Sequence, residues 1–253
     1  MPKAKRGATD LNGVILIDKP GGMTSHDVVD RLRELTGEGR IGHAGTLDPA
    51  ATGLLILCVG PATRLSDQLM GHDKEYVARI IFGASTDTDD AEGNVVKTFK
   101  GELPADLTDP IYADEVLTSF LGHQSQMPPQ FSAIKQNGVA AYKKARQGEK
   151  NTLKPREVDI LDINLFVADA DSWVISTHVS KGTYIRSLAR DIGERVGCPA
   201  HLGELKRTGV GPWNLTRAHS LDKLADLSVA EIEALFLSEE ELKSGLLPKE
   251  LSE

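Results

Sequence analysis

Cysteine is scarce in this chain of 253 residues: Cys58 and Cys198 are the only two, and neither stands in a C-x-x-C pair. Two thiols cannot build a disulfide framework, so a reducing compartment is expected. Long hydrophobic runs are missing as well. The longest apolar stretch, Leu54 to Val59, falls far short of the roughly 20 residues a membrane-spanning helix needs. The basic start, Met1 to Arg6, is followed by no apolar h-region, which argues against a signal peptide and for a cytoplasmic protein. Net positive charge is also absent: 29 Lys and Arg stand against 37 Asp and Glu, a formal charge of −8. Taken whole, that balance argues against a nucleic-acid binder, whose usual footprint is a basic patch or a high pI. What is present, 40% hydrophobic residues, suffices for one large domain with a buried core, with or without a small appendage.

Resolved by segment, the charge tells a different story. Asp222 to Glu253 holds nine acids and three bases, net −6, and Ala84 to Glu115 nine acids and two bases, net −7. Phe131 to Arg156 carries seven bases against Glu149 alone, net +6, and Lys181 to Arg217 seven bases against three acids, net +4. Runs of this kind are commonly solvated faces, but a local positive field can also hold a polyanion when the total is negative.

Periodicity outlines the fold. Gly13 to Asp18 reads as a strand entering the turn Lys19–Gly22. Thr24-Ser25-His26-Asp27 fits a helix capping box, with Val28, Leu32 and Leu35 on one face and Gly37 as stop. Leu54 to Val59 reads as a buried segment, and Tyr76 to Phe82, Val158 to Val167 and Trp173 to Val179 as strands. Glu115 to Leu121 and Val139 to Arg146 read as short helices, and Thr183 to Val196 as the clearest helix, burying Ile185, Leu188, Ile192 and Val196. Leu221 onward reads as an acidic helical appendage. Strands and helices without regular βαβ spacing imply an α+β, or mixed α/β, architecture.

Several chemical motifs fail. Gly37 to Gly42 matches G-x-G-x-x-G, but a helix precedes it and Pro49 soon follows, so it reads as a flexible connector. There is no Walker sequence. Asp87 to Gly93 lacks the fifth and sixth residues of a calcium loop and reads as a polar turn between strands. Seven scattered histidines signal no metal site, and Ser66 and Ser132 lack a nucleophile elbow. What remains is Gly42 to Gly53, with three glycines that let backbone lie close to a ligand. In it Pro49 biases Asp48 away from the helical region, placing its carboxylate at a turn. From spacing alone Asp48 is either a catalytic group or an Asp bonded to its own backbone.

That loop resembles the catalytic loop of the TruB family of bacterial tRNA pseudouridine synthases. The resemblance continues in order through Gly13–Ser25, Asp73–Tyr76, Pro128–Lys135 with Tyr142 and Ala145-Arg146, Ser180–Ser187 and Ala200–Arg207, over roughly residues 10–220. It implies a pseudouridine-synthase fold, with a central, largely antiparallel sheet, flanking helices and a basic RNA-binding thumb inserted at about 126–157. On that basis 1–217 would be the catalytic domain and 218–253 a short acidic helical appendage, without the C-terminal RNA-binding domain many relatives carry. Ala50 stands where many relatives have Leu, which should loosen local packing.

The resemblance also implies a function: isomerisation of uridine to pseudouridine in the T loop of tRNA, at position 55, with no cofactor and no metal. Asp48 would be the catalytic carboxylate, acting as nucleophile or as base. Arg186 would pair with it and hold it ionised. Tyr76 would stack on the flipped uracil, Tyr184 and Leu205 would complete the pocket wall, and His43 would fill the gap the base leaves. Lys19 and Pro20 would brace the catalytic loop. The expected partner is the T stem-loop of tRNA, bound by a monomer without membrane or nucleotide cofactor. Alternatives are another uridine target, a guide-RNA-dependent relative, an RNA-folding chaperone, or a carboxylate glycosidase.

Overall fold

The computed structural model describes residues 9–132, 135–136, 139–140 and 153–246. In chain order the strands are β1 (Gly13–Lys19), β2 (Ile41–Ala44), β3 (Thr52–Val59), β4 (Lys74–Phe82), β5 (Ala84–Thr86), β6 (Val95–Thr98), β7 (Gly122–Gln126), β8 (Lys135–Gln136), β9 (Val139–Ala140), β10 (Arg156–Ala168), β11 (Ser172–Val179), β12 (Ala200–Val210), β13 (Trp213–Asn214) and β14 (His219–Ser220). The helices are α1 (Ser25–Thr36), α2 (Ser66–Met70), α3 (Pro110–Thr118), α4 (Ile185–Val196), α5 (Leu221–Ala225), α6 (Val229–Glu233) and α7 (Glu239–Gly245). The α+β class expected from the sequence is the one observed, and pairing is mostly antiparallel.

The chain forms two compact units, Met1–Glu75 with Lys206–Glu253, and Tyr76–Leu205; β4 and β12 each run from one unit into the other. In the first unit, β1 lies antiparallel to β3, which pairs on with β2 and, in parallel, with the end of β12. The apolar runs of β1 and β3 are buried because Val14, Leu16, Leu54, Ile56 and Cys58 form one core with Trp213 and Leu237. The capping box is present: Thr24 accepts from the Asp27 amide, the Asp27 carboxylate accepts from Thr24 N–H, and Gly37 closes α1 at φ 72°. The connector after it is pinned: Glu38 is buried and accepts from the Thr9 hydroxyl and the Arg40 amide, and the segment ends in β2. Residues 221–246 pack on this unit instead of trailing from it, with Leu237 N–H donating to Val14 C=O at 2.8 Å and Phe236 against Gly13.

In the second unit β10 pairs with β11 and β7. Trp173 on β11 is wholly buried, donates its indole N–H to Leu107 C=O at 2.8 Å, and meets Phe82 edge-on. Helix α4 starts two residues later than expected and buries Ile185, Leu188 and Ile192, while Val196 is half-buried. Helix α3 begins earlier than expected, because Asp109 caps it and Pro110 occupies its first turn. The expected helix over 139–146 fails where it can be seen: Val139–Ala140 is a strand paired with Lys135–Gln136, a short antiparallel ladder. The rest of that segment, with Tyr142 and most of the basic insertion, lies outside the described residues.

Candidate active site

The loop from Gly45 to Ala51 is held from three sides within the first unit. Lys19 is completely buried, and its ammonium donates to the carbonyls of Pro20, Met23 and Pro49 at 2.9, 2.6 and 3.1 Å. Gly22 N–H donates to the same Pro49 carbonyl at 2.9 Å. Ser25, at the start of α1, receives Leu47 N–H and donates back to Leu47 C=O, at 2.9 and 3.0 Å. Arg207 on β12 is 1% exposed; its guanidinium spans the two ends of the loop, binding Gly45 C=O at 3.0 Å and Leu54 C=O at 2.7 Å. Gly53 makes this possible: at φ +98° it lets β12 come so close that a side chain there would overlap the Arg207 carbonyl. Asp48 therefore stands half-buried on a turn closed by Ala51 N–H to Asp48 C=O, on a backbone with little freedom to move. Ala50 is exposed, so a short side chain there removes little packing.

His43 sits on β2 opposite Leu57. Its Nδ1 is buried with no hydrogen-bond partner among the described residues. Burial, aided by the neighbouring His26 and Arg207, lowers its pKa, which disfavours the charged imidazole. A cavity of about 300 Å³ opens beside Lys19 and Pro20, bounded also by Thr52, Lys206 and Asp222.

Four expected site residues lie in the second unit. Tyr76 is 8% exposed on β4, whose alternating burial puts it on the inner face. Leu205 is half-buried on β12, and Tyr184, also half-buried, is the residue preceding α4. Arg186 lies in the first turn of α4, where a cation opposes the helix dipole. Its ion pair with Asp90 at 3.4 Å and its bonds to the carbonyls of Thr88 and Phe131 at 3.1 and 3.0 Å offset that. One turn on, Arg190 holds Asp89 and Asp191, both at 2.8 Å, and Met127 C=O at 2.9 Å. The 87–93 segment does turn between strands, but Asp89 and Asp90 within it are also partners of α4, a role composition could not reveal. Burial nevertheless raises the pKa of Asp89, against the pull of Arg190 and Arg186.

No group of three or more His, Cys, Asp or Glu among the described residues is placed to hold a metal, and none of the described helices is long and apolar enough to cross a membrane. Residues 33–185 match the profile of the "TruB family pseudouridylate synthase (N terminal domain)". The chain belongs to the TruB family. Residues 186–252 match a second TruB profile, "tRNA pseudouridylate synthase B C-terminal domain", so the likeness runs on past Arg217. Among curated TruB relatives, tRNA pseudouridine synthase B of Syntrophotalea carbinolica is 41% identical, over 90% of this chain and 73% of its own length. That of Bordetella avium is 42% identical over 97% of this chain and 99% of its own. The solved Cbf5-Nop10-Gar1 complex contains a similar chain, 30% identical with TM-score 0.66; this chain spans 93% of its own length and 60% of that one. As a TruB synthase the protein is an isomerase that converts uridine in tRNA to pseudouridine.

Proposed function

We propose that the target is the uridine at position 55 in the T loop and that Asp48 is the catalytic carboxylate. The N1–C1′ bond breaks, the uracil turns, and C5 bonds to C1′; C5 then gives up its proton and N1 gains one, so the product is an isomer with nothing gained or lost overall. The immobilised turn that carries Asp48 supports this reading best. A reacting carboxylate must be held near its productive geometry, and the loop is fastened through Lys19, Ser25 and Arg207. Arg186 supplies positive charge in support of the Asp48 carboxylate.

The target base is flipped out of the folded loop, which requires a stacking face worth roughly 1–3 kcal/mol per base. Tyr76 provides that face, Tyr184 and Leu205 wall the pocket, and neutral His43 fills the gap in the RNA. The T stem-loop binds to a monomer, with the net +6 segment from Phe131 to Arg156 on its phosphates. Incubation with an unmodified T-arm hairpin tests the proposal: pseudouridine forms at one loop uridine, and Asp48→Asn binds the hairpin without converting it. No product from the intact chain, free uracil as product, or full activity in Asp48→Asn would refute it.

A further inference from the structure

Helix α4 has no side-chain cap of its own: Tyr184 occupies the capping position in an extended conformation, φ −101° and ψ 113°, with no capping bond from its side chain. The job is done from another strand. Gln126, the last residue of β7 and only 5% exposed, receives Tyr184 N–H on its Oε1 at 2.9 Å and donates Nε2–H to Tyr184 C=O at 3.1 Å. That carbonyl also accepts Leu188 N–H at 3.1 Å, the opening bond of the helix. Both backbone polar groups of Tyr184 are thus matched by one amide, as a neighbouring strand would match them. An amide is the neutral side chain that offers a donor and an acceptor side by side in this way. Two bonds to one residue fix its φ and ψ, and with them the direction of its Cα–Cβ bond.

The next residues extend the same fastening. Met127 C=O accepts from Ser187 Oγ at 2.8 Å and from Arg190, and Phe131 C=O accepts from Arg186. From these contacts we infer that Gln126 is a positioning residue for the isomerisation: it sets the orientation of Tyr184 and ties it to the root of the basic insertion. The inference rests on the role proposed above for Tyr184. It predicts that removing the amide misplaces the aromatic ring during the chemical step more than it weakens RNA binding.

Pseudouridine formation on the T-arm hairpin, followed from about pH 5 to about pH 9 in the full chain, tests this with Gln126→Ala, Gln126→Glu and Tyr184→Ala. Gln126→Ala is expected to lose about tenfold or more in kcat, with KM within about twofold of the parent. Gln126→Glu is expected to work at near-parent kcat while its carboxyl is protonated, since the neutral acid both accepts and donates. Its rate should then fall as pH rises and the donor is lost, a limb absent from the parent and from Gln126→Ala. Parent-like kcat in Gln126→Glu at every pH, a change confined to KM, or failure of acid pH to restore Gln126→Glu would overturn the inference. Should Gln126→Ala not fold, the acid limb of Gln126→Glu decides alone. Parent-like kcat in Tyr184→Ala removes the role of Tyr184 itself, and is told apart because it appears with Gln126 intact.

Discussion

The buried ammonium of Lys19 donates to the carbonyl of Pro49 at 3.1 Å, one peptide beyond Asp48. A flexible surface side chain has become a fixed strut whose three carbonyl acceptors come from two stretches of chain. Lys19→Met keeps much of the volume and removes every donor. Leaving buried carbonyls unmatched costs about 1–3 kcal/mol. The variant should unfold at lower urea, and its kcat should drop by roughly tenfold or more because the loop shifts. Urea melts beside single-turnover assays check both.

Arg190 neutralises two carboxylates that burial disfavours in their charged form. Removing one partner of a buried pair typically costs 3–5 kcal/mol; with the Asp191 side chain about 30% exposed, about 3 kcal/mol is expected for Arg190→Met. Both acids have raised pKa values, so their neutral forms favour the folded state. Stability from them is present at acid pH and lost as pH rises through the folded values. The deficit of Arg190→Met should therefore shrink on acidification, as melts at pH 7 and about pH 4.5 would reveal; an equal deficit at both would contradict this.

Glu241 caps α7 by accepting from Ser238 N–H and pairs with Arg217, which brings its pKa down to about 2. A lowered acid contributes above its ordinary value near 4.5 and ceases to contribute as pH falls towards 2. Within that window α7 should loosen, and Trp213, against which Gly245 packs, should report it by fluorescence. Glu241→Gln should show the looser state already at neutral pH and no transition there.

Affinity for tRNA should depend steeply on salt despite the chain's −8 charge. Replacing Lys143, Lys144 and Lys150 by Gln should weaken binding and reduce the slope of log K against log salt by up to about 0.9 per lost phosphate contact. Titrations at several salt concentrations measure it; an unchanged slope would remove the basic insertion from the RNA interface.

The sequence made some of this legible and hid the rest for identifiable reasons. Helix α1 was readable because its start and stop are local: Thr24, Asp27 and Gly37 act on their own neighbours. Strand β1 was readable as a strand, and β3 as a buried segment, because both are buried along nearly their whole length and so are largely apolar. Strand β12 was not: Glu204, Lys206 and Arg207 interrupt its pattern, and nothing local says that Arg207 will be buried against two carbonyls. The loop around Asp48 stood out by its glycines and proline, yet its fastening by Ser25 and Arg207 depends on residues 22 or more positions away. Gln126 gave no signal, since one buried glutamine is distinguished only by what faces it.

The packing of residues 221–246 on β1 has an electrostatic corollary. Between Asp222 and Leu246 seven acids face two bases, and because this stretch is bolted to the strand through Leu237 and Val14, its charge is held at a set place on the first unit. That net negative charge repels an incoming polyanion, and at low ionic strength the repulsion reaches beyond contact. Negative charge fixed in this way is expected to bias which approaches of the RNA succeed, an effect that added salt should weaken.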